Sequence, residues 1–119
     1  MTKPADREDR KQQQLRRLGT QNPICVACGE PDASVLELHH IAGRKHKDDL
    51  SIVCANCHRK LSNIQRGRPS EYIQRSDGQS AHLGHYLLGL ADLLEMIVST
   101  LRKIGARLIT ESRQGGMRL

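Results

Sequence analysis

Val53-Cys54-Ala55-Asn56-Cys57-His58 closes a segment that Cys25-Val26-Ala27-Cys28 opens, and between them lies Leu36-Glu37-Leu38-His39-His40-Ile41. Each Cys-x-x-Cys is a short turn that aims two sulfurs at one point. Two such turns supply four thiolates, the tetrahedral set that a structural Zn²⁺ prefers. Cys25, Cys28, Cys54 and Cys57 are all the cysteines in the chain, so a four-cysteine site leaves no thiol over. Two disulfides are the competing use of these residues, and disulfides belong to secreted proteins. Met1-Thr2-Lys3-Pro4-Ala5-Asp6 leads into charged residues without an apolar signal segment, so a reduced, cytoplasmic chain is expected. His39, His40 and His58 then stand as surplus ligands beside a closed zinc site, which points to a second, open metal site.

Working outward, Asn22-Pro23 and Cys28-Gly29 punctuate a turn around the first cysteine pair. Residues 34–41 read as a strand, 42–49 as a polar loop, 51–54 as a second strand, and 57–65 as a helix opening at the second pair. That order brings His40 and His58 onto one metal-bearing face. The expected organisation is a basic arm or helix at 1–20, a metal finger at 21–68, a linker at 69–80, a long amphipathic helix at 81–110 and a flexible tail at 111–119.

Leu38-His39-His40-Ile41, Asp49-Leu50 and Val53-Cys54-Ala55-Asn56-Cys57-His58-Arg59-Lys60-Leu61 together resemble the zinc-containing branch of the HNH nuclease family. The resemblance covers about residues 23–65 and leaves the C-terminal helix outside it. It implies an α+β fold: a ββα-metal, treble-clef-like finger whose cysteine pairs hold structural zinc. It also implies His40 as general base, with His39 and His58 as ligands of a catalytic divalent ion. The family's middle Asn falls on Asp49. A carboxylate there accepts a hydrogen bond from an imidazole, orienting His40, or ligates the metal directly. Mg²⁺ or Mn²⁺ is the expected catalytic ion, with Zn²⁺ or Ni²⁺ as alternatives, and the activity implied is hydrolysis of DNA phosphodiesters.

The residue chemistry stands beside that resemblance. Phosphodiester hydrolysis needs an activated water and charge stabilisation at the phosphoryl and leaving oxygens. A histidine can take the water's proton, and a divalent ion with open positions does the electrostatic part. The formal charge is +6, unevenly spread. Residues 1–20 carry six Lys/Arg against three acids and residues 59–75 five against one, while 21–58 carry three against five. Basic flanks around a metal-bearing centre suit a polyanion such as double-stranded DNA. Arg44, Lys45, Arg59, Lys60, Arg66 and Arg68 are the expected phosphate contacts.

The C-terminal helix has its own pattern. Leu83, Leu87, Leu90, Leu94, Ile97, Leu101, Ile104 and Leu108 alternate spacings of four and three, the seam of a coiled coil or bundle helix. Gly84, Ala91, Val98 and Gly105 recur every seventh residue beside it. Asp92 and Glu95 interrupt the apolar run at 83–98, which is also short of the ~20 residues of a membrane span. With only 2% aromatic residues in 119, the chain has little with which to fill a large core, so metal and self-association are both expected supports. A homodimer, or a tetramer, through 81–109 would give two strand-cutting sites to one duplex; folding back on the finger, which is too small to cover the whole stripe, is the competing use of this helix. The competing reading is a non-catalytic zinc-finger module that binds DNA and recruits a partner through this helix.

Overall fold

The computed structural model describes residues 6–43, 49–75 and 77–113. It is a small α+β structure: a two-stranded antiparallel sheet, helices around it and a long C-terminal helix.

Helix α1 (Arg7–Leu18) begins at a capping box, with the Asp6 carboxylate accepting from the Asp9 backbone N–H and Asp9 returning a bond to the Asp6 N–H. It ends at Gly19, whose φ of +80° closes the last turn in the left-handed region. Of the arm or helix expected at 1–20, residues 7–18 form a docked helix. Leu15 and Leu18 are buried, and the Gln14 side-chain amide donates to the carbonyls of Ala33 and Leu36, each at 2.8 Å.

A 3₁₀ turn (Ala33–Val35), capped by the Asp32 side chain, takes the first residues of the expected strand. Strand β1 (Leu36–His40) then pairs with β2 (Leu50–Cys54), in a register that sets Leu36 against Cys54 and His40 against Leu50. Helix α2 (Ala55–Arg66) starts directly from β2, with the Cys54 sulfur as its N-cap. A short helix α3 (Ser70–Gln74) occupies part of the expected linker. Helix α4 (Gln79–Arg113) runs 35 residues, about 52 Å at the α-helical rise. The expected tail at 111–119 is helical as far as Arg113, and its remainder lies outside the described residues.

One core gathers these elements. Leu18 of α1, Leu36 of β1, Val53 of β2, Leu61 of α2 and Leu93 of α4 cluster with Cys25, Cys54 and Cys57, all buried. Aliphatics and sulfurs thus do what aromatics do elsewhere. Helix α4 folds back on the finger, but through an arc different from the whole seam that the periodicity marks. Leu93 enters the core with Met96 and Ile97 packed beside it, and the Thr100 hydroxyl donates to the Ala27 carbonyl at 2.6 Å. Gly89 touches the finger: a Cβ there would overlap the Ile41 carbonyl oxygen. Leu83, Leu87, Leu94 and Leu101 stay at least half exposed. Among the described residues no helix is long and apolar enough to cross a membrane.

Candidate metal centre

The two knuckles converge. In the first, the Cys25 backbone N–H donates to the Glu30 carbonyl at 2.9 Å and the Gly29 N–H to the Cys25 carbonyl at 2.8 Å. Gly29 sits at φ +84°, a conformation that favours glycine. The Val26 N–H bonds the Ile52 carbonyl at 2.9 Å, fixing this knuckle beside β2. The second knuckle is the β2–α2 junction, where the Cys54 sulfur accepts from the Cys57 N–H at 3.5 Å. The four sulfurs all lie within 4.8 Å of one another. Cys28 and Cys54 are 3.7 Å apart, close to the ~3.8 Å edge of a tetrahedron with Zn–S bonds of about 2.3 Å. The four cysteines are arranged to bind a metal ion, and their all-sulfur donor set fits structural zinc.

Burial and mutual proximity set the protonation of these thiols. Burial raises the Cys57 thiol far above its ordinary value, with the neighbouring cysteines adding to it. Cys28 is raised by burial too. At Cys25 burial also pushes upward, but hydrogen bonds from the Cys54, Cys28 and Ala27 backbones outweigh it and the net shift is downward. Four clustered thiolates repel one another, and a central cation turns that repulsion into binding, with release of protons.

A second arrangement lies on the other side of the hairpin. His39, on β1, is 2% exposed, and its Nε2 is buried with no hydrogen-bond partner. Its ring stands edge-on to that of His58, centroids 5.3 Å apart. Burial first, then the charges of His58 and His40, lower its pKa to about 4, so it is neutral at ordinary pH, the form in which imidazole binds metals. His58, in the first turn of α2, is held by Glu37: His58 Nδ1 and Glu37 Oε1 are 2.7 Å apart. A carboxylate on one ring nitrogen orients the imidazole and directs the other nitrogen outward. Glu37 is two residues before His39, so strand alternation sets both on one face of β1. Outside them opens a pocket of about 340 Å³ lined by Glu37, Ala55, His58, Arg59, Ser62, Asn63 and Arg66.

The remaining expected residues are placed as follows. His40 ends β1 and, as the neighbour of His39, belongs to the opposite strand face; its carbonyl accepts from Gln65 Nε2 at 3.2 Å and from the Gly43 N–H at 3.0 Å. Asp49 is half-buried, and its carbonyl accepts from the Ile41 N–H at 2.9 Å, closing the base of the loop. Among the described residues only the cysteines form a group of three or more metal-type ligands within mutual reach; His39, His58 and Asp49 do not converge so closely. Arg59 and Arg66 line the pocket, and Lys60 is exposed beside them on α2. Arg68 instead pairs with Asp92 of α4 at 2.8 Å and is largely buried. Arg44 and Lys45 lie outside the described residues.

Sequence reading missed the part taken by Glu37. Strand alternation shows that a carboxylate two residues before His39 shares its face, but the pairing of Glu37 with His58 is visible only in the fold. No family model, curated protein or solved structure matches this chain.

Proposed function

We propose that the protein is a metal-dependent DNA endonuclease of the HNH type, its finger a ββα-metal unit with zinc at the four cysteines. One observation carries the reading: the buried Nε2 of His39 has no partner, next to a His58 ring braced by Glu37. A buried polar atom without a partner costs free energy, and a divalent ion beside His39 and His58 would remove that cost. When bound, the ion would stabilise charge on the phosphoryl oxygens.

The chain's own residues do the rest. Glu37 holds the His58 ring. Arg59 and Arg66 at the pocket rim, with Lys60 next to them, neutralise the backbone phosphates of a duplex. In the HNH reading His40 takes the water's proton as its oxygen attacks phosphorus. Alternation along β1 sets His40 on the face opposite His39, not on the one face with His58 that the element order suggested, so its ring has to reach the site around the end of the strand. The phosphorus–oxygen bond to the leaving group then breaks, and that oxygen is protonated from solvent. Asp49, at the mouth of the same loop, orients His40 or the ion. Arg68, tied to Asp92, serves the packing of α4 on the finger more than the phosphate surface.

A non-catalytic zinc-finger module is the second reading. It is favoured by the absence, among the described residues, of a second converged group of ligands. Plasmid relaxation with Mg²⁺ or Mn²⁺, on protein checked for retained zinc, separates the two. Nicking should require added ion, and His40→Ala should abolish it while zinc and DNA binding persist. His58→Ala should lose activity that extra ion partly restores. Cleavage by His40→Ala at the unmodified rate would remove the assigned base, and no cleavage with any ion would favour the binding module.

A further inference from the structure

The face of α4 turned away from the finger is amphipathic in two senses, by size and by charge. Its finger-facing arc is used: Gly89 against Ile41, Leu93 in the core, Thr100 bonded to Ala27 and Asp92 paired with Arg68. The opposite arc carries Leu87, Leu94, Val98 and Leu101, exposed by 54%, 50%, 47% and 63%, with open space beside Gly84 and Gly105. The apolar stretch from Leu83 to Ile109 covers about 40 Å of helix, a continuous surface of the kind that marks an interaction site.

We propose that this arc binds the same arc of a second copy of the chain, with the two α4 helices antiparallel. Charge selects the direction. Residues 79–101 contain no Lys or Arg and two acids: Asp92, which Arg68 of the finger takes, and Glu95, which stays exposed. Residues 102–113 contain Arg102, Lys103, Arg107 and Arg113 against Glu111. A parallel pair sets the cationic ends side by side. An antiparallel pair lays each over the partner's uncharged and acidic half.

Size selects the register. Sliding the antiparallel copies until large faces small places Leu94 over the partner's Gly105, Leu101 over the partner's Val98 and Leu108 over the partner's Ala91. The small member of each layer lets the helix axes approach. In that register Glu95 and Arg102, both exposed, sit on the same flank and meet across the pair, twice by symmetry. The partner lies on the far side of α4 from the finger, so pairing leaves the four-cysteine cluster and the His58 pocket uncovered. The two fingers project outward, and the pairing is independent of whether those fingers cut DNA.

Sedimentation equilibrium of the full chain at micromolar concentration tests this. The expected mass is twice 13.3 kDa, and Leu94→Lys with Leu101→Lys should give the single-chain mass with zinc retained. Glu95→Arg should weaken the dimer about tenfold, a change of about 1.4 kcal/mol in total, as two ion pairs become two repulsions. Adding Arg102→Glu to Glu95→Arg should bring affinity back to within about threefold, because the reversed charges meet again. A monomer or tetramer for the unmodified protein overturns the pairing. A double variant no tighter than Glu95→Arg alone overturns the antiparallel register, since in a parallel pair these positions lie a heptad apart.

Discussion

His39 shows how one residue's surroundings decide its chemistry. A free imidazole titrates near 6.5, but His39, held down by burial first and then by the charges of His58 and His40, titrates at about 4. Between those values the unfolded chain binds a proton that the folded one refuses. Stability therefore falls as pH drops from about 6.5 to about 4 and changes no further below that through this group. The full cost is on the order of 3 kcal/mol at 1.36 kcal/mol per pKa unit. In zinc-loaded protein without other divalent ions, the His39 ring proton resonances should stay at neutral-imidazole positions down to pH 5. Titration of His39 near pH 6.5 would mean that the ring is solvated, and the orphaned Nε2 would then have water for a partner.

At the scale of elements, glycines on one helix have opposite meanings. Gly89 lies where α4 touches the finger, and a methyl group there overlaps the Ile41 carbonyl oxygen. Gly84, one and a half turns earlier, has nothing within 4 Å of a built Cβ. Alanine is worth about 1 kcal/mol over glycine inside a helix, so Gly84→Ala should stabilise the fold by about 0.5–1 kcal/mol. Gly89→Ala gains the same propensity but must move α4 off the finger. Strain of about 1–3 kcal/mol is usual for overpacking, and contact with fixed backbone places this site at the upper end. Urea unfolding of both variants measures the contrast. A Gly89→Ala protein more stable than the unmodified one would mean that α4 is not seated against Ile41.

The whole molecule is joined through its sulfurs. Cys25, Cys54 and Cys57 are core members together with Leu18, Leu61 and Leu93, which belong to three different helices. Metal at the cluster is therefore coupled to the docking of α1 and α4 as well as to the finger itself, as expected where binding free energy is folding free energy. Zinc should be present at one per chain. Its removal by chelation, or Cys54→Ser, should raise amide hydrogen exchange in α2 and in residues 89–100 of α4 together. Unchanged protection at 89–100 after complete loss of zinc would show that α4 is seated by Gly89, Thr100 and the Arg68–Asp92 pair alone.

The local parts are legible in the order of residues. Paired cysteines at short spacing announce two knuckles because ligand geometry is local, and the strand, strand and helix between and after them follow from period and turn residues. The long helix was legible from eight aliphatics at alternating spacings of four and three. Which arc of that helix the finger takes is visible only in the folded chain. Periodicity marks every apolar position alike, whereas contact depends on shape: the finger seats where Gly89 admits a backbone oxygen and leaves Leu87, Leu94 and Leu101 outside. The role of Glu37 was likewise settled by the fold, because its partner His58 lies 21 residues away, beyond what spacing along a strand reveals. Arg68 became a packing residue for the same reason. Its charge was visible in the chain, but Asp92 reaches it only once α4 has folded back.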